Sequence, residues 1–109
     1  MISIIITYYS GINILKSNIQ LLDKTVNIDA EIIIVNDNPS NKLNEQELSN
    51  LTDIPIKIVP MLENKGYAAA CNLGVTESSG DLLLFLDCDI FVTNSWIQKM
   101  YSTLNKISN

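Results

Sequence analysis

The chain has 109 residues, 47% hydrophobic and 17% charged. That composition excludes disordered and collagen-like classes and suits one domain with a core of its own. Twelve acidic against seven basic residues give a formal charge of −5, which repels polyanions and argues against nucleic-acid binding. The sequence holds no histidine, so imidazole bases, Ser-His-Asp triads and His-ligated zinc are excluded.

Residues 3–8 are short and isoleucine-rich and are predicted to form a buried strand. Gly11 ends that segment. Ile12, Leu15, Ile19 and Leu22 recur at helical spacing and predict a helix to about Lys24. Residues 29–36 contain the run Ile32-Ile33-Ile34-Val35 and predict a second strand. Asp37-Asn38-Pro39-Ser40-Asn41 is turn chemistry. A short helix over about 44–51 turns Leu48 and Leu51 inward, and residues 56–59 form a third strand between Pro55 and Pro60. Residues 63–66 are a loop, 67–76 an alanine-rich helix, and 81–86 a fourth strand running into Asp87-Cys88-Asp89. Asn94 or Ser95 caps a last helix with the apolar face Ile97, Met100, Tyr101, Leu104 and Ile107.

The pattern is βαβαβαβα with strands apolar on both faces. It predicts an α/β fold, an open and mostly parallel sheet with helices on both faces, as one domain over 1–109. Cys71 and Cys88 are too few for a disulfide framework or a four-thiolate metal site and read as buried thiols in a reducing cytosol. The apolar start lacks a basic leader region, and the apolar runs fall far short of the ~20 residues of a membrane helix.

Ligands of such sheets bind beyond the carboxyl ends of the strands. The residues reaching that edge are Thr7, Tyr8, Tyr9 and Ser10 after strand one, Asp37 after strand two, Asn64 and Gly66 after strand three, and Asp87 and Asp89 after strand four. No GxxxxGK[ST] is present, which excludes a P-loop, and no GxGxxG follows strand one, so a dinucleotide site is unsupported. A receiver-like phosphoacceptor site wants acids where this chain has Thr-Tyr-Tyr. Phosphate would then be handled through a cation held by carboxylates. Asp87 and Asp89, two residues apart in extended backbone, project to one side. One can hold a hard divalent ion, Mg²⁺ or Mn²⁺, while the other bonds a sugar or ribose hydroxyl. The competing reading is a capping turn. For Asp37 the competing reading is an Asx-turn ahead of Pro39, and for residues 68–70 an ordinary packed helix.

Four segments in order, 3–9, 31–38, 64–74 and 80–89, together resemble the donor-binding half of a family-2 glycosyltransferase with the GT-A fold. The resemblance implies strand order 3-2-1-4. It implies that Thr7 and Tyr9 line the nucleobase pocket, that Asp37 bonds base or ribose, and that Asn64 and Gly66 lie in a segment approaching the donor closely. Asp87 would meet ribose or sugar, and Asp89 the metal bridging the diphosphate. Many relatives carry proline near Thr7 and arginine where Cys71 stands, so the diphosphate charge falls to the cation and to Lys65. The donor implied is a nucleoside-diphosphate sugar, with UDP-sugars favoured, and the acceptor a saccharide or lipid-linked hydroxyl attacked with inversion in bacterial glycoconjugate synthesis. The resemblance puts the acceptor region and general base downstream of the acid pair. The expectation is therefore a donor domain of a longer cytoplasmic or membrane-peripheral enzyme, binding donor without turnover. The alternative is a non-catalytic nucleotide-sugar-binding or assembly module. Strand four would then be an apolar edge, through which two copies could pair as a homodimer.

Overall fold

In the computed structural model residues 1–87 are described. The expected last helix, Cys88 and the metal residue Asp89 lie outside the described residues.

Seven elements follow one another: β1 (Ile2–Tyr8), α1 (Ile12–Thr25), β2 (Ala30–Asn36), α2 (Glu45–Ser49), β3 (Ile56–Pro60), α3 (Tyr67–Glu77) and β4 (Leu82–Asp87). The sheet has the order β3-β2-β1-β4, with every pairing parallel. Each boundary falls within a residue or two of the sequence expectation. β1 is central and buried along its whole length, which explains its continuous apolar run.

Successive residues of a strand face opposite ways, and here the two faces meet different helices. Ile2, Ile4, Ile6 and Tyr8 of β1 join Ile32 and Ile34 of β2 against Leu15, Ile19 and Leu22 of α1 and Leu48 of α2. The alternate residues Ile5, Ile33, Val35 and Val59 pack with Ala70 of α3. Gly74 lets α3 lie close to the sheet. A Cβ there would sit 2.4 Å from Ile5 Cγ2 and 3.2 Å from Val35 Cγ2, both branched and buried side chains with no room to swing away.

A polar latch joins the end of α3 to the start of the sheet. The Ser3 hydroxyl donates to Glu31 Oε2 at 2.6 Å. The Ser79 N–H donates to the same oxygen at 2.6 Å, and the Gly80 N–H donates to Ser3 Oγ at 2.8 Å. The latch satisfies backbone donors at the turn and fixes where β4 begins. The Asp81 N–H then donates to the Met1 carbonyl at 3.0 Å.

Among the described residues the fourth strand lies at the edge of the sheet, where the resemblance implied an apolar edge. Leu82, Leu83 and Phe85 are exposed and only Leu86 is buried. The reason is position. Among the described residues β4 pairs with β1 alone, and α3 lies over β1, β2 and β3 rather than over β4. Its apolar sequence therefore does not report burial on both faces.

Gly74→Ala should lower stability by about 1–3 kcal/mol through overpacking against Ile5, read as a shifted urea midpoint with an unchanged slope. An unchanged midpoint would show that α3 does not rest on Gly74.

Candidate functional site

Parallel pairing brings the carboxyl ends of all four strands to one edge. The register sets Thr7 level with Val35 on one side and with Asp87 on the other. Thr7 has the same parity as Ile5, which packs toward α3, so Thr7 and its partner Asp87 belong to the α3 face of the sheet. Tyr9 and Asp37 continue that parity one step beyond β1 and β2. With Tyr8, Tyr67 and Ala70, these residues line a pocket of about 200 Å³ between the strand ends and the start of α3.

Asp37 is the residue in that pocket whose chemistry stands open. It is 8% exposed, and its Oδ1 has no hydrogen-bond partner among the described residues. A buried acceptor without a donor is costly. The turn does not use it. Asn36 Oδ1 accepts from the Asn38 N–H at 3.0 Å, and Asn38 Oδ1 accepts from the Ser40 N–H at 3.2 Å. Asn36 Nδ2 donates to the Asn41 carbonyl at 2.6 Å, Asn38 Nδ2 donates to the Tyr9 carbonyl at 2.8 Å, and Asn41 Nδ2 donates to the Tyr8 hydroxyl at 3.1 Å. Three asparagines thus build the turn and brace the residues after β1. The Asx-turn allowed for at Asp37 belongs to Asn36 and Asn38, and the Asp37 N–H is taken by the Tyr8 carbonyl at 2.8 Å.

Asn64 Oδ1 accepts from the Gly66 N–H at 3.1 Å, and Gly66 adopts φ of 92°, a conformation that disfavours any residue with a Cβ. Asn64 and Gly66 therefore aim the first turn of α3 at the pocket, and neither is among its lining residues. Lys65 lines a separate pocket with Glu63, Leu73 and Glu77, not the one holding Asp37 and Asp87. Cys71, expected as a buried thiol, is half-buried and free.

Sequence reasoning missed Tyr67 as a member of this pocket, seeing only the first residue of a helix. An aromatic directly after Asn-Lys-Gly was the available signal, because the first helical position sits at the sheet edge. A larger pocket, about 520 Å³, lies among Asn36, Asn38, Lys42, Leu43, Ile58 and Pro60. Ile58 packs with the α1–α2 core while Met61, which also lines it, packs with the α3-side core, so this pocket reaches both faces at the β3 end of the sheet.

The carboxylates of the first pocket define what it can hold. Asp37 and Asp87 present hard oxygen donors, and no lysine lines the pocket. No group of three or more acidic or cysteine side chains able to hold a metal exists among the described residues. No helix among the described residues is long and apolar enough to cross a membrane.

The chain is similar to YwdF, an uncharacterized glycosyltransferase of Bacillus subtilis, at 35% identity over 99 residues, covering 91% of this chain and 36% of YwdF. It is 30% identical over 91 residues to the teichoic acid poly(glycerol phosphate) polymerase of Staphylococcus epidermidis, covering 81% of this chain and 12% of that protein. S. aureus TarS 1–349 superposes with a TM-score of 0.78 at 17% identity, covering 96% of this chain and 32% of TarS 1–349. Its complex with UDP gives 0.77 at 16% identity, with 96% and 32% covered. At such identity the likeness speaks for the fold alone. The chain spans 33 to 40% of the length of the first three curated relatives. The sequence model of glycosyl transferase family 2 matches residues 3–109, nearly the whole chain, and the chain belongs to glycosyl transferase family 2.

Proposed function

We propose that this chain binds the nucleoside-diphosphate part of a sugar donor at the α3-side pocket, as the donor domain of an inverting glycosyltransferase. The observation that carries the reading is the unpartnered Asp37 Oδ1 in a pocket also lined by Tyr9 and Asp87. A nucleobase or ribose offers the N–H or O–H that this oxygen lacks. Tyr9, 53% exposed, offers a ring face for the base. Solved complexes of TarS with UDP and UDP-GlcNAc support a UDP-sugar as the donor class.

Roles follow from position. Thr7, buried beside Asp87, narrows the floor and offers a hydroxyl. Asp37 accepts from the base or ribose, and Asp87 bonds a ribose or sugar hydroxyl. Asn64 and Gly66 act indirectly by orienting α3. A diphosphate entering beside two carboxylates needs a counter-charge, and Asp89, two residues beyond Asp87, would hold it together with the phosphate oxygens. Mg²⁺ or Mn²⁺ bound there would supply Lewis-acid stabilisation of the departing diphosphate. In transfer with inversion the bond from the anomeric carbon to the diphosphate oxygen breaks as the acceptor oxygen attacks from the opposite side. The acceptor proton passes to a general base. Asp37 and Asp87 are committed to the donor, so neither is assigned as that base.

Calorimetric titration tests the reading. UDP should bind with Mn²⁺ present and bind at least about tenfold more weakly without it. Asp37→Ala should weaken UDP binding about tenfold, the worth of a hydrogen bond to a charged group, while leaving the thermal midpoint at or above that of the wild type. Equal and feeble binding of UDP and GDP, with and without Mn²⁺, would remove the donor assignment.

Asp87→Asn should weaken UDP binding while leaving the response to Mn²⁺ in place, because the cation is assigned to Asp89. Abolition of the Mn²⁺ response by Asp87→Asn alone would reassign the metal ligand.

A further inference from the structure

Two tyrosines of the pocket are more than half exposed, and they come from different layers of the fold. Tyr9 follows β1, whereas Tyr67 opens α3 and is 56% exposed. Both line the pocket of Asp37 and Asp87. An exposed aromatic at the first position of a helix contributes nothing to the core beneath it, where Ala70 and Gly74 make the close approach. Positions i and i+4 share a helix face, so Tyr67 and Cys71 stand one turn apart on the same side of α3, and the Cys71 side chain, burial and the Asp87 charge raise the Tyr67 pKa above the ordinary tyrosine value.

We propose that Tyr67 is a donor-binding residue, an aromatic wall supplied by α3 that packs on the nucleoside while Tyr9 contacts it from the sheet side. The proposal rests on the donor reading and deepens it. A ring on each side of a flat nucleoside excludes water from its faces.

The proposal is tested by UDP titration, with Mn²⁺, of the wild type, Tyr67→Ala and Tyr67→Phe, alongside thermal unfolding of each. Tyr67→Ala should weaken binding about tenfold by loss of the stacking face. Tyr67→Phe, which keeps the ring, should weaken binding only about two- to threefold. Thermal midpoints of the two Tyr67 variants should match the wild type, since the side chain is exposed. Wild-type affinity in Tyr67→Ala would overturn this proposal and leave the donor reading standing. Tyr67→Phe as weak as Tyr67→Ala would also overturn it, because the hydroxyl and not the ring would then carry the contact. Failure of the wild type to bind UDP at all would remove the donor reading and this inference together.

Discussion

The parallel register of β1 with both of its neighbours is the constraint on which the remaining structure depends. Because Thr7 is level with Val35 and Asp87, the carboxyl ends of three strands finish side by side. A shift of one residue in either pairing would turn every side chain to the other face. Thr7 and Asp87 would then part, and Ile5 would leave the surface against which Ala70 and Gly74 fit. The pocket and the α3-side core are two outcomes of one alignment. The Ser3–Glu31–Gly80 latch sits at the opposite end of the sheet and fixes where β4 begins, so it sets Asp87 at a distance.

Charge gives the pocket its character. Two carboxylates, Asp37 and Asp87, line it, and no lysine is among the lining residues. The chain's basic residues are all lysines. Two of those described are paired across the surface, Lys16 with Glu47 and Lys57 with Glu77. Such a cleft favours a ligand that brings hydrogen-bond donors over a bare anion. Asp37 makes this case most directly, because its backbone is used in the fold while Oδ1 of its carboxylate is not.

Much of this was legible in the sequence. Isoleucine runs announce the buried strands β1 and β2, since only strands covered on both faces tolerate them. The spacing of Ile12, Leu15, Ile19 and Leu22 announces α1. Thr7, Tyr9, Asp37 and Asp87 were legible as residues at strand ends and do share a pocket. What was hidden depends on neighbours. β4 is as apolar as β1 yet exposed, which composition alone does not show; its place at the edge was implied by the resemblance. The division of labour among Asn36, Asp37 and Asn38 could not be read from composition, since all three are turn formers. Tyr67 was hidden because its helical position shows which residues share its face but not that the face opens on the strand ends.

The central claim is that ligand enters on the α3 side of the sheet edge, and amide chemical-shift mapping of the chain during titration with UDP and Mn²⁺ tests it most directly. The largest shifts should fall at Thr7, Tyr9, Asp37 and Asp87 and at Tyr67 to Ala70, with Lys42, Leu43 and Ile58 on the opposite face unmoved. Shifts concentrated at Lys42, Leu43 and Ile58, or none at either pocket, would contradict it.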